Sequence, residues 1–107
     1  MAITVNSVAL SNGMPSAPLR FIKLDVDLDA SYPAGGYDVS DQLEGGTVVS
    51  SPTVPHYDGA DLRWFKVTAA GMLVSLETAN GAPGAETADT TDVSGHTGLI
   101  IEGVAVQ

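Results

Sequence analysis

From Leu19 onward the chain alternates with a period of two. Ile22, Leu24, Val26 and Leu28 fall on one side, and Lys23, Asp25, Asp27 and Asp29 on the other. Successive side chains of a strand point to opposite faces, so the pattern predicts a strand over Leu19–Ala30 with one buried and one wet face. The run stops at Tyr32-Pro33-Ala34-Gly35-Gly36-Tyr37. Pro33 keeps the residues before it extended, and the two glycines supply dihedrals that a tight turn needs.

The same reading places the other elements. Ile3–Val8 is β-branched and predicts either a first strand or an extended arm, within an N-terminal segment 1–18 set apart from a sandwich domain over 19–107. Ser11–Pro18 reads as a loop. Asp38–Leu43 is long enough for one helical turn, capped by Asp38 or Ser40. Gly46–Val54 reads as a short edge segment, because Pro52 and Pro55 deny backbone donors. His56–Asp61 reads as a turn on its Asp58-Gly59 pair. Leu62–Ala69 and Met72–Thr78 form the clearest hairpin, turning at Ala70-Gly71. In its second arm Met72, Val74 and Leu76 alternate with Leu73, Ser75 and Glu77. Ala79–Gly95 reads as a long acidic loop, and Thr97–Val106 as a closing strand in which Gly103 marks a bulge or a close backbone approach. No segment of ten residues has a helical period. The fold class expected is all-β: a single-domain antiparallel β-sandwich or a jelly-roll-like barrel with long loops.

Composition narrows the function classes. The chain has 107 residues, enough for one core. Four basic residues face 13 acidic ones, a formal net charge of −9. That balance disfavours nucleic-acid binding and anionic membrane surfaces, both of which need basic patches. The absence of cysteine removes a disulfide scaffold and a thiol nucleophile. The first ten residues do not read as a signal peptide, and no run approaches the length of a membrane span, so synthesis in a cytoplasm is expected.

Candidate chemistry is thin. Asp25-x-Asp27-x-Asp29 invites a calcium reading, but Ala30 and Gly36 stand where an EF-hand loop needs its glycine and its last acid. A charged strand face, solvated or awaiting a partner, accounts for it. His56 and His96, with Asp58, are the only imidazole-based candidates for a metal or acid–base site; both read as turn residues and as ordinary surface groups. No nucleophile elbow, P-loop or dinucleotide fingerprint is present. No enzyme activity and no cofactor is expected. Trp64 and Phe65 are adjacent in a strand, so one ring is expected in the core and the other under a loop or a partner. Arg20, Lys23, Arg63 and Lys66 are all the bases there are, and all fall in expected strands. They form a candidate contact for an acidic partner if those strands are neighbours. Ordinary cross-strand pairing with Asp25 or Asp27 explains them as well.

The order of motifs resembles a known group. An alternating strand runs into Tyr32-Pro33-x-Gly35-Gly36-Tyr37-Asp38; a Tyr57-Asp58 turn, the Met72–Glu77 strand and an acidic loop with Glu86 follow, then Asp92-Val93-Ser94-Gly95 and a β-rich end with Gly103. This is similar to the decoration (cement) proteins and related small virion proteins of tailed bacteriophages. The resemblance implies a β-sandwich that binds the outside of an assembled capsid, with the major capsid protein as partner and a homotrimer as the favoured self-association. It carries over no catalytic residue. A tail, head–tail or fibre-associated virion protein is the nearest alternative. A carbohydrate-binding module is the second, with Tyr32, Tyr37 and Tyr57 as the rings that would have to converge.

Overall fold

The computed structural model describes residues 4–12, 19–43, 46–59 and 61–106, with side chains from residue 21 onward within those ranges apart from residue 43. It is an antiparallel two-sheet sandwich. Sheet A takes the order β1 (Thr4–Asn12), β2 (Leu19–Asp27), β9 (Leu99–Val106), β4 (Thr47–Ser50). Sheet B takes the order β3 (Tyr37–Asp38), β7 (Met72–Ala79), β6 (Asp61–Val67), β5 (Val54–Asp58), and β8 (Ala82–Glu86) pairs with the far end of β7.

The alternating run is an interior strand, paired to β1 on one side and β9 on the other. Its apolar row, Ile22, Leu24 and Val26, is buried, as is Leu28 just beyond it. Val48, Leu99, Ile101 and Ala105 complete the inner face of sheet A. Phe65, Val67, Leu73 and Tyr37 face them from sheet B. Burial of each large apolar side chain stabilises the fold by roughly 1.5–3 kcal/mol, so this two-layer core is the main source of stability.

The element boundaries depart from the sequence reading in three places. The expected turn at His56 is strand: β5 holds Val54–Asp58, and its Asp58 pairs with Asp61 at the start of β6. Pro55 is tolerated there because β5 is the edge of its sheet. The expected long loop after Ala79 is shorter, because Ala82–Glu86 folds back on β7 as β8. Asn80 (φ 52°) and Gly81 (φ 77°) form the two-residue connection, and positive φ at both central positions is the type I′ hairpin that Asn-Gly favours. The signal was in the sequence, masked by its low-complexity surroundings. At the N-terminus, Thr4–Asn12 pairs with β2, so Ser11 and Asn12, expected at the start of the Ser11–Pro18 loop, belong to the strand, and the rest of that loop lies outside the described residues. Gly103 is a site of close approach: a Cβ there would stand 2.9 Å from the Ser50 carbonyl oxygen, while the ladder irregularity falls on β4 between Val48 and Ser50.

Two identical tripeptides fasten the loops. Asp38-Val39-Ser40 and Asp92-Val93-Ser94 fold the same way. In each, the aspartate Oδ1 accepts the serine backbone N–H at 2.9 Å and the serine hydroxyl at 2.6 Å. These bonds hold both carboxyls below the usual carboxylate range. Each closed turn drives its valine into the core. The first of them leads into a 3-10 turn at Ser40–Leu43, where one helical turn was expected.

Candidate functional site

The Tyr32–Asp38 segment is a clamp. Tyr32 is fully buried and Tyr37 nearly so, and their rings meet edge to face at 5.6 Å. The Tyr32 hydroxyl donates to Glu86 Oε2 (2.8 Å) and accepts the buried Ser75 N–H (3.1 Å). The Tyr37 hydroxyl donates to Asp29 Oδ1 (2.7 Å). Burial pushes both phenols above their ordinary range, and the neighbouring carboxylates push the same way. Between the tyrosines, Gly35 N–H bonds to the same Glu86 oxygen (2.8 Å), and Ala34 N–H to Asp89 (3.1 Å). Tyr32 and the segment Thr90–Thr91 exchange backbone bonds at 2.8 Å. The segment therefore ties the 87–98 loop to the sandwich. It presents no sugar platform: of the three tyrosines, only Tyr57, 66% exposed, reaches solvent.

A second polar network runs along the inner side of β5 and β6. His56 Nδ1 and His96 Nδ1 lie 2.9 Å apart, and His96 Nε2 lies 2.9 Å from Asp61 Oδ2. Arg63 Nε donates to that same oxygen (2.9 Å), and its Nη1 donates to Thr87 Oγ1 (3.0 Å). Thr87 Oγ1 and Ser75 Oγ are 2.7 Å apart, which joins this network to the tyrosine clamp. Burial works to raise the Asp61 carboxyl, but the bonds from His96 and Arg63 outweigh it and hold it below the usual carboxylate range. Burial, then the neighbouring His96, push His56 down, against the Thr97 backbone and Asp58. The expectation of surface histidines is thus corrected: His96 is 1% exposed. The 40-residue separation hid the pair, because sheet pairing places His56 opposite Arg63 and the loop brings His96 over both. The bonds of the two rings run to each other, to Asp61 and to the Thr97 backbone, and none runs to a hydroxyl among the described residues. Among the described residues no group of three or more His, Asp or Glu side chains is placed to hold a metal. Of the aspartate row, Asp27 accepts the Gly98 N–H (2.8 Å) and Asp29 the Ser31 N–H (3.1 Å), so these two anchor loops.

The outer face of sheet B is the unusual surface. Cross-strand partners share a face, so the pairs Pro55–Trp64, Tyr57–Leu62, Trp64–Leu76 and Lys66–Val74 all point away from the core. On β7 the more apolar row, Met72, Val74 and Leu76, is the outward one, and the inward row carries Ser75. Trp64 is half-buried by its neighbours and donates its indole N–H to Thr78 Oγ1 (3.1 Å). Lys66 is the one charge among these paired residues. An antiparallel sheet with one wet face reads apolar-in, polar-out; apolar rows on both faces are the pattern of a sheet covered on both. The outer face of sheet A is more mixed, with Phe21, Val49 and Ile100 among Lys23, Asp25 and Glu102.

The six interface candidates separate accordingly. Phe65 is 0% exposed and belongs to the core, while Trp64 lies on the outer face. The bases do not gather. Lys23 is exposed on sheet A, its backbone opposite Glu102. Lys66 lies on the outer face of sheet B, and Arg63, one strand face over, is drawn inward to Asp61 and faces Glu77 at 3.7 Å. The reason is topological: β2 and β6 belong to different sheets, and positions 63 and 66 fall on opposite faces of one strand. The Arg20 side chain lies outside the described residues.

Comparison with known proteins returns no match: no family model, no curated protein and no solved structure aligns with this chain.

Proposed function

We propose that this chain is a non-enzymatic structural protein of a tailed-phage virion. In this reading it binds the outer surface of the assembled capsid, contacts the major capsid protein and its own copies, and stabilises the shell. The observation that carries the binding role is the apolar outer face of sheet B, centred on Trp64 and flanked by Tyr57, Leu62, Val74 and Leu76. Contiguous apolar surface on a small protein marks an interaction site. Trp and Tyr supply most interface hot spots. The virion assignment comes from the resemblance carried by the Tyr32–Asp38 and Asp92–Gly95 segments. The acidic balance supports it in one respect: a net charge of −9 keeps free subunits soluble and apart until a shell offers sites. A shell that binds many copies is then stabilised by mass action on the assembled state.

The test is co-sedimentation of purified protein with undecorated expanded heads, alongside the Trp64→Ala variant. The wild type pellets with heads and the variant stays in the supernatant. Absence of the wild type from the pellet at every salt concentration overturns the reading. Pelleting with isolated tails instead of heads transfers the protein to the tail alternative. Light scattering at micromolar concentration reads the trimer.

A further inference from the structure

We propose that β1 is a docking edge and that its partner is the β1 strand of a second copy of this chain, paired antiparallel across a two-fold axis at Ala9. Sheet A then runs unbroken through both copies in the order β4-β9-β2-β1-β1-β2-β9-β4. The contact is made by the backbone of sheet A, apart from the Trp64 face of sheet B, so it stands or falls separately from the capsid reading.

A sheet edge presents a row of N–H and C=O groups with no strand to receive them, and proteins blunt such rows with short strands, proline, charge or bulges. Every other edge among the described residues is blunted. β4 is four residues long, and its ladder breaks between Val48 and Ser50. β5 carries Pro55, which has no N–H to offer, and ends on Asp58. β3 and β8 both pair with β7. The first is two residues long and holds Asp38; the second holds Pro83 and Gly84 and ends on Glu86. β1 runs nine residues, Thr4–Asn12, with no proline, glycine or charged residue. Among the described residues it pairs with β2 alone. Its one irregularity, between Val5 and Ser7, lies near its start and leaves Ser7–Asn12 in regular register.

Charge selects the occupant. A chain of net charge −9 repels its own copies over most of its surface, but no charged side chain precedes Arg20. Bringing β1 against β1 therefore sets no like charges directly opposite each other. The nearest charged positions on the ladder, Lys23 and Asp25 opposite Ala9 and Ser7, lie one strand further back. Across the pair each Lys23 stands about 14 Å from its counterpart, three strand spacings, beyond the screening length at physiological salt. Register agrees. Val8 and Leu10 hold positions opposite the buried Leu24 and Ile22, while Ser7, Ala9 and Ser11 hold positions opposite Asp25, Lys23 and Phe21. Only a register that keeps core-side positions together extends the sheet. The two-fold at Ala9 does so, because Val8 falls opposite Leu10 and Ser7 opposite Ser11. A contact of this isologous kind closes at two copies and leaves no free β1 edge.

The chain has no cysteine, which makes the pair directly readable. In Ala9→Cys the two thiols face each other across the two-fold. Their Cα atoms stand roughly 4.5–5.5 Å apart, inside the range a disulfide spans. Mild oxidation at micromolar concentration is expected to give a covalent dimer at least about tenfold faster than for Lys23→Cys, whose thiols are about 14 Å apart. Equal rates overturn the pair. Sedimentation of the wild type needs no variant: an even number of chains is expected. A single chain at every concentration up to millimolar leaves the edge to a strand of another protein and overturns the proposal. So does a trimer whose Ala9→Cys form does not cross-link, since self-association then belongs to a different surface. Ala9→Asp sets a carboxylate opposite Lys23 of its own sheet, which keeps β1 on β2, and opposite its counterpart across the two-fold, where like charges repel. It is expected to weaken the association several-fold, and an unchanged association constant overturns the pairing at Ala9.

Discussion

Trp64 and Phe65 are consecutive in the chain and stand on opposite faces of one sheet. Phe65 is fully buried in the core, its ring against those of His56 and His96, while Trp64 lies outward with its indole N–H on Thr78. The two residues therefore divide β6 between the core and the outer face of sheet B.

Their substitutions are expected to separate. Phe65→Ala leaves a cavity in a close-packed core and costs about 3–5 kcal/mol, read by denaturant or thermal unfolding. Trp64→Ala removes a half-buried ring from the surface. It is expected to lower the melting temperature less than Phe65→Ala and, under the proposed capsid role, to abolish head binding or self-association. A Trp64→Ala protein that unfolds as readily as Phe65→Ala would assign the indole to the fold.

Gly35 and Gly36 make a second contrast. Both have positive φ, 87° and 100°. A Cβ on Gly35 meets nothing within 4 Å, whereas one on Gly36 would stand 2.5 Å from the Leu73 carbonyl oxygen. Gly35→Ala thus carries backbone strain alone, about 1–3 kcal/mol. Gly36→Ala adds a clash with the β7 backbone and is expected to lose more. Equal melting temperatures for the two variants would contradict this.

Tyr32→Phe tests the clamp. It deprives the buried Ser75 N–H of its acceptor, a loss of about 1–3 kcal/mol. Tyr37→Phe is milder, because Asp29 keeps its bond from Ser31 N–H. Both phenols are raised, so the folded state holds their protons more tightly than the unfolded chain. Their contribution to stability is present at neutral pH and lost as pH rises past the ordinary tyrosine range. Absorbance at alkaline pH should show two tyrosines that ionise only as the fold is lost.

Asp61 gives the acid limb. Its carboxyl is depressed below the ordinary 3.8 by bonds from His96 and Arg63, which outweigh burial. The folded state thus binds that proton less well than the unfolded chain. The stabilisation is present above the unfolded carboxylate range and fades as pH falls through the folded value. Asp61→Asn is expected to melt below wild type at neutral pH, with the gap closing as pH falls below the ordinary carboxylate range. A gap that persists unchanged into acid would mean that charge is irrelevant to this contact.

Much of the architecture was legible in the chain because it is local. The row Ile22–Leu28 declared its buried face by period two, and Pro55 declared an edge. Asp38, expected as a cap, and Asp92, expected within the acidic loop, each bond two residues onward, a contact that is equally local. The Asn80-Gly81 hairpin was equally local, though its acidic Ala- and Thr-rich surroundings obscured it. What the sequence could not determine is which of two alternating rows faces the core, since on β7 both rows are apolar enough for either side. Only the closing of sheet B over sheet A decided that Leu73 and Ser75 turn inward and Met72, Val74 and Leu76 outward. The meeting of His56 with His96, and of both with Asp61, is of the same kind. These residues are brought together by strand pairing and loop closure over 40 positions, and no spacing along a chain encodes a contact that exists only once two sheets have packed.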